Sequence, residues 1–213
     1  MYYLHKTPSL LKKLFPDVLW DTSSLTSHDH INLTFDDGPN NNTTERILNI
    51  LYAYRIKATF FCVGENITNN RKIFEMLLEH GHPVGNHTYT HRNGWSTPTK
   101  EYLKDIEKCQ IILDSYNVRN KYFRPPYGRL KPGQYKGLLK EGHKIVMWDV
   151  LSGDFDTQLS SDQVLKSSLK ATKPGSIIVF HDNIKYIGVV EKILPAYIEG
   201  LLGLGFKFTT LWD

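Results

Sequence analysis

The sequence predicts one α/β domain, a mostly parallel sheet covered by helices and closed, or nearly closed, into a barrel. Three observations predict it. The chain has 213 residues, which at about 150 residues per domain points to one compact unit. Segments rich in Val, Ile, Phe and Thr alternate with helix-period segments about six or seven times. A helix end, a glycine and a strand also follow one another three times: Leu77-Leu78-Glu79-His80-Gly81 into HPVGNH, Leu138-Leu139-Lys140-Glu141-Gly142 into HKIVMWDV, and Leu201-Leu202-Gly203-Leu204-Gly205 into FKFTTLW. In each, the glycine suits the left-handed stop position of a helix. An open doubly wound sheet satisfies the same periodicity.

The elements follow in order. Residues 1–29 read as an irregular lead-in and 30–213 as the folded domain. The first strand is INLTF at 31–35; beyond Asn42, residues Ile47, Leu51 and Tyr54 recur on one helical face. KATFFCV at 57–63 reads as the next strand, with KYFR at 121–124 and GSIIVF at 175–180 further along. Thr97 before Pro98 suits an N-cap with proline at the first helical position, and Tyr102, Ile106, Cys109 and Leu113 then form one apolar stripe. Ser160 and Gln163 have capping-box spacing ahead of Val164, Leu165 and Leu169. A last helix runs over about 189–202, where Pro195 is expected to kink or interrupt it.

Composition narrows the chemistry. Apolar residues make up 40% and aromatics 12%, which excludes a disordered chain. The 26 Lys and Arg exceed the 22 Asp and Glu by only four, and the basic stretches are short and scattered, so no nucleic-acid partner is expected. No apolar run approaches the roughly 20 residues of a membrane span. The first residues lack the pattern of a cleaved leader, so the protein is expected either to be cytoplasmic or to reach the cell envelope by a targeting segment not in this chain. No feature sets an oligomeric state, and a monomer is the expectation. Nine His stand against two Cys, so a metal, if bound, must be held by imidazoles and carboxylates. Cys62 and Cys109 can pair, but Cys109 fits the apolar stripe of its helix as a small core residue.

In either architecture, ligand-binding groups collect beyond the carboxyl ends of strands. Asp36 and Asp37 lie there, before Gly38-Pro39. They read as a strand-end turn or as a pair dividing labour, one binding a metal and one taking a proton. His87 and His91 form an HxxxH pair; on one helical turn both imidazoles share a face, and with a carboxylate from another strand they make a His₂Asp site with open positions. His181 follows an apolar strand and reads as a hydrogen-bonded core histidine or as a general acid. Arg124 can orient a carboxylate, and Asp154 can pair with His181 and keep it charged. His5, His28 and His30 in the lead-in, and His80, His82 and His143 at helix stops, read as structural.

LTFDDGP at 33–39, HTYTH at 87–91, FRPPYG at 123–128, WDVLSGD at 148–154 and VFHD at 179–182 together resemble, in order, the five motifs of the polysaccharide deacetylases. These are the NodB-homology enzymes of carbohydrate esterase family 4. The resemblance covers the chain from about residue 30 onward. It implies a single-domain, distorted (β/α)7-like barrel holding one divalent metal ion, most often Zn²⁺, with Co²⁺, Ni²⁺ or Fe²⁺ as alternatives. It implies Asp37, His87 and His91 as metal ligands, Asp36 as catalytic base, and Arg124 as its orienting partner. His181 would be the general acid, Asp154 its partner, and Tyr127 would lend a backbone N–H to the oxyanion. Tyr127, Pro126, Trp148, Phe155 and Val179 would line the substrate site.

Two departures stand out. The fourth motif commonly reads DxxDW, whereas this chain has Leu151 and Phe155 at its first and last positions. Leu151 cannot ion-pair with Arg124, and Phe155 keeps an aromatic wall without an indole donor. In the fifth motif Val179 replaces the usual Leu beside the expected acetyl pocket. The resemblance implies hydrolysis of N-acetyl groups on an N-acetylglucosamine glycan, such as peptidoglycan or chitin-like oligomers, with that acetylated glycan and water as partners. An O-acetyl xylan esterase, a small-amide deacetylase and a non-catalytic carbohydrate-binding relative are the alternatives.

Overall fold

The computed structural model describes residues 4–24 and 29–211; His28 lies outside them. Eight strands form one sheet: β1 (His30–Asp36), β2 (Thr59–Cys62), β3 (Val84–Asn86), β4 (Tyr122–Phe123), β5 (Lys144–Ile145), β6 (Val150–Leu151), β7 (Ile177–His181) and β8 (Lys207–Thr209). Their order is β5-β4-β3-β2-β1-β7-β6, every ladder is parallel, and β8 pairs with the start of β1 beside β2. The sheet curls into a half-barrel flanked by helices, as the distorted barrel requires, and β5 and β6 are its two edges.

Alternation on β1 decides what faces inward. Ile31, Leu33 and Phe35 pack outward in the main hydrophobic cluster, against Ile47, Leu48 and Leu51 of α2 (Thr44–Ala53) and Ile193, Leu194 and Tyr197 of α8 (Ile187–Gly203), with Ser9–Leu14 forming α1. Asn32, Thr34 and Asp36 point the other way and are nonetheless buried. The concave face of β1 is therefore polar, and INLTFD spells that alternation in the sequence. α3 (Gly64–Asn69), α4 (Arg71–Glu79), α5 (Thr99–Ser115), α6 (Pro132–Lys140) and α7 (Ser161–Ala171) complete the helices.

Local signals mostly match. Ser160 and Gln163 form the capping box of α7, and Tyr102, Ile106, Cys109 and Leu113 are the buried stripe of α5. Cys62 and Cys109 are free, buried thiols. Three local readings are corrected. Thr97 does not cap α5: its hydroxyl donates to Asn93 O at 2.8 Å and Pro98 takes the N-cap position. Pro195 does not interrupt α8, which buries Val190, Ile193, Leu194, Tyr197, Ile198 and Leu201 along its length. Each such side chain contributes about 1.5–3 kcal/mol on burial, enough together to outweigh the ~3 kcal/mol cost of an internal proline.

The third correction concerns HKIVMWDV. It is two strands, β5 and β6, on opposite edges of the sheet. Between them the lead-in supplies the missing ladder partner. Leu19 N–H donates to Ile145 O at 2.9 Å, and Met147 N–H donates to Leu19 O at 2.8 Å. Lys6 bridges to Val150 and Asp21 to Ser176, while Val18 and Trp20 are buried. Asp149 anchors this segment: it is 3% exposed, ion-pairs with Lys6 and with Lys12 at 2.5 Å, and accepts from Ser176 Oγ at 2.5 Å. Both lysines remain partly in water, so the pairs are worth less than fully buried ones. Asp149→Ala is expected to destabilise the fold by about 2 kcal/mol, read as a lower urea midpoint with an unchanged slope.

Candidate active site

The side chains singled out in the sequence gather at the carboxyl ends of β1, β3, β4, β6 and β7. Asp36 ends β1 and Asp37 follows it; His87 follows β3, Arg124 follows β4 and His181 ends β7. Asp37, His87 and His91 each offer one ligand atom, all within 4.8 Å of one another. His91 Nε2 lies 3.0 Å and His87 Nε2 3.7 Å from Asp37 Oδ1. His87 Nδ1 sits 2.8 Å from Arg124 O, and a carbonyl only accepts, so Nδ1 carries the proton and Nε2 is free to ligate. Burial, more than the nearby carboxylates can offset, holds His87 neutral by lowering its pKa to about 4. Burial disfavours the charged form of Asp37, yet the hydrogen bond from His91 and the charges of His181, His91 and His87 outweigh it and hold the carboxyl well below its ordinary value. An ionised carboxylate and two neutral-capable imidazoles with open positions fit one divalent ion; these three residues can hold it, and their chemistry does not select among Zn²⁺ and its neighbours.

No helical turn brings the histidines together, contrary to the spacing argument. Residues 87–98 are a loop in which Thr88 (φ 64°) and His91 (φ 54°) are left-handed. Asp37 (φ 85°) and Tyr127 (φ 60°) share that region. Such backbone costs about 1–3 kcal/mol per residue and persists where the surroundings enforce it. All four positions surround the metal-ligand cluster, and the enforcing contacts are visible: Asp105 accepts from the N–H groups of Tyr89 and Thr90 at 2.9 Å each, and Asn66 Nδ2 donates to Asp37 O at 2.6 Å.

Asp36 is 3% exposed and its Oδ1 accepts from Arg124 Nη1 at 2.6 Å. Arg124 is fully buried, stacks over Phe61 at 4.1 Å, and also donates to Thr34 Oγ1 at 2.8 Å and to Met147 O at 2.9 Å. The backbone carbonyl between β5 and β6 thus takes a donor that no carboxylate at position 151 could take, since that position is Leu. His181 Nδ1 lies 2.8 Å from Asp154 Oδ1, and Asp154 Oδ2 accepts from His181 N–H at 2.7 Å. Burial opposes the imidazolium, but Asp154, with Asp37 and Asp36 behind it, outweighs burial and raises its pKa to about 10. Phe155 stands edge-on to the His181 ring at 5.4 Å.

The remaining predicted positions fall around this centre. Tyr127 is exposed and meets the His91 ring edge-on at 4.9 Å. Pro126, next to it in the chain, is buried, and half-buried Trp148 sits against Gly128. Val179 is fully buried on β7, two residues before His181 and so on the same face. A polar cleft of about 200 Å³ opens beside Asp37 and His91, lined also by Asn40, Glu65, Thr90 and Asn183.

Residues 24–146 match the family model described as polysaccharide deacetylase, more than half of the chain. The chain belongs to the polysaccharide deacetylase family. It is 35% identical over 185 residues to a peptidoglycan-N-acetylglucosamine deacetylase of Bacillus cereus, covering 84% of this chain and 66% of that protein. It is 31% identical to a bifunctional xylanase/deacetylase of Pseudobutyrivibrio xylanivorans, covering 85% of this chain but 29% of that one. The chain therefore spans less than two thirds of either curated relative. The crystal structure of the Bc1960 peptidoglycan N-acetylglucosamine deacetylase superposes with a TM-score of 0.83 at 32% identity, over 91% of this chain and 90% of that one.

Against this polysaccharide deacetylase frame, several site residues went unread in the sequence. Asn183 Nδ2 donates to Asp37 Oδ2 at 3.0 Å, orienting the carboxylate. Tyr186 stands edge-on to His181 at 6.1 Å. Asp182, fully buried, binds the loop after β1: its Oδ2 accepts from Thr44 Oγ1 at 2.5 Å, its carbonyl accepts from Asn40 Nδ2 and Thr43 Oγ1 at 2.9 Å each, and its N–H donates to Asp36 O at 3.1 Å. All three residues sit within five positions of His181; Asp182 closes the motif VFHD without its role being legible, and no spacing rule marks Asn183 or Tyr186. Only Thr34 carried a legible signal, the polar phase of INLTFD. Asp182 also explains Gly38, where a Cβ would lie 1.8 Å from Asp182 Oδ2. Gly38→Ala is expected to cost about 1–3 kcal/mol and to weaken divalent-metal affinity, measured by thermal melts and by titration with Zn²⁺.

Proposed function

We propose that the chain is a metal-dependent hydrolase that removes acetyl groups from the nitrogen of N-acetylglucosamine units in a glycan, peptidoglycan foremost. The observation that carries this is the convergence, at one end of the sheet, of a His₂Asp cluster with two separately held proton carriers, Asp36 against Arg124 and His181 against Asp154. A divalent ion held by Asp37, His87 and His91 would polarise an acetyl carbonyl and acidify water, and Zn²⁺ is the ion proposed. Asp36, oriented by Arg124, accepts the proton of the attacking water. The backbone N–H of Tyr127 contributes to holding the oxyanion. His181, kept charged by Asp154, donates to the departing amine, and acetate is the second product.

The His181–Asp154 pair favours an amide over an ester. An amine leaves poorly unless protonated, whereas an alkoxide leaving group demands less of the acid. Retention of every ligand and both proton carriers argues against a non-catalytic binding role. The names of the two peptidoglycan-N-acetylglucosamine deacetylase relatives support the substrate, and the xylanase/deacetylase relative keeps the O-acetyl reading as the second one.

Purified protein loaded with Zn²⁺ or Co²⁺ is expected to bind about one ion and release acetate from chitooligosaccharides or peptidoglycan fragments faster than from acetylated xylan. Stoichiometric metal with no acetate from any of them would overturn the enzyme reading. Asp36→Asn should lower kcat by about 10²–10⁴-fold with metal retained, whereas His87→Ala should lose metal and activity together. The pH profile gives an independent check. His181 works in its charged form, so activity is lost as pH rises through its raised pKa. Asp154→Asn removes the charge that raises it and should move the alkaline limb of kcat down by about one unit or more.

A further inference from the structure

Outside the metal-ligand cluster, the loop of residues 93–97 and the turn at 126–129 build a second feature that the chemistry above does not use. Trp95 is 61% exposed and Tyr127 55% exposed. The Arg129 guanidinium lies over both rings, 4.8 Å from the Trp95 centroid and 5.8 Å from that of Tyr127. Tyr127 in turn meets His91 at 4.9 Å, so rings and guanidinium run in unbroken contact from a metal ligand outward to Trp95.

The platform is held in place from below. Buried Gln134 donates to Gly94 O at 2.9 Å and to Thr97 O at 3.1 Å, and Lys131 Nζ donates to Thr97 O at 2.9 Å. Trp95 N–H donates to Asn93 Oδ1 at 3.0 Å. A Cβ at Gly94 would lie 2.1 Å from Arg129 O, so glycine there is what lets the two segments touch. An apolar ring on a pinned loop that leaves more than half its surface in water is disposed for contact with a ligand.

Arg129 supplies the chemical class of that ligand. It is half-buried, yet among the described residues no carboxylate lies within ion-pair distance of it. Fully buried Arg124 has Asp36, and exposed Arg46 and Arg92 have Glu191 and Glu101. Arg55, Arg71 and Arg119 also have no such pair but lie exposed in water, so among the described arginines Arg129 is the one partly withdrawn from water without a carboxylate. Contact with ring faces uses none of a guanidinium's N–H donors, and their planar fork matches a carboxylate. We propose that Trp95, Arg129 and Tyr127 form a subsite for a carboxylate-bearing sugar next to the one being deacetylated, so that the preferred glycan is acidic rather than neutral. This rests on the deacetylase reading and names the substrate class for the same site. In peptidoglycan the lactyl carboxyl of a muramic acid unit is such a group wherever its stem peptide has been removed; elsewhere it is held as an amide, the form a methylamide imitates.

The test separates the subsite from the reaction. Three ligands of equal length are compared: an N-acetylglucosamine/N-acetylmuramic acid tetrasaccharide with free lactyl carboxylates, the same compound with those carboxylates converted to methylamides, and chitotetraose. Binding is measured by calorimetry with the Asp36→Asn protein, and kcat and KM by acetate release with the otherwise unaltered enzyme. The acidic tetrasaccharide is expected to bind at least about tenfold more tightly than its amide, with a preference that shrinks as salt rises. Arg129→Gln should bring the ratio of the two near parity, acting through KM, and Arg129→Lys should restore part of it. Equal binding of acid and amide, or a preference that survives Arg129→Gln, overturns the proposal. An Arg129-dependent preference without acetate release from any ligand would instead sustain the subsite and sink the deacetylase reading.

Discussion

A buried arginine ties this site together. Arg124 contributes a guanidinium to the concave face of the half-barrel and loses its water in doing so, a cost of several kcal/mol unless every donor finds a partner. The partners come from three parts of the fold: Asp36 and Thr34 on β1, the carbonyl of Met147 between the two edge strands, and the ring of Phe61 on β2. Its own carbonyl fixes the tautomer of His87. One residue therefore sets the proposed base and a candidate metal ligand at the same time, and Thr34 and Asp36 on the polar phase of β1 receive it.

The rest of the site is held by similar cross-links between strand ends. Asp182 on the β7 side grips the loop that carries Asp37, and Asn183 orients the Asp37 carboxylate. Asp105 on α5 holds the loop of the two histidines through backbone N–H groups. These contacts sustain four non-glycine residues in left-handed backbone, which local propensity alone would not maintain. Stability here is spent on placing ligands, while the apolar side of the sheet, packed on α2 and α8, supplies the compensating burial.

The half-barrel is left open between β5 and β6, and that opening has a consequence for the site. Residues 146–149 cross from one edge to the other; Val146 N–H still donates to Phe123 O and Asp149 N–H to Ile177 O, while the carbonyls of Met147, Trp148 and Asp149 are taken by Arg124 and by Thr7 of the lead-in. The lead-in accordingly packs as part of the core, with Trp20 and Val18 buried and Asp149 as its ionic anchor. Leu151, a departure from the family's usual motif, becomes intelligible in the same way. It lies in a short edge strand opposite Val179, and Arg124 has no need of an acid there.

The sequence by itself determined the alternation of strands and helices, the buried stripe of α5, the capping box of α7, and the motif residues Asp36, Asp37, His87, His91, Arg124, Asp154 and His181. Each of these is a local pattern, or a set of reactive side chains carried by strand ends, and one-dimensional spacing records such things. Only the tertiary structure decided how they meet. HxxxH suggested a helical turn, but a loop with left-handed residues brings the imidazoles together, because Asp105 on α5, the helix that follows, enforces it. HKIVMWDV looked like one strand, but the lead-in splits it across the two edges of the sheet. Arg129 and Asn183 carried no signal, and for Asp182 the motif VFHD recorded presence but not role. Their significance is an approach between segments far apart in the chain, set by close packing that no local periodicity encodes.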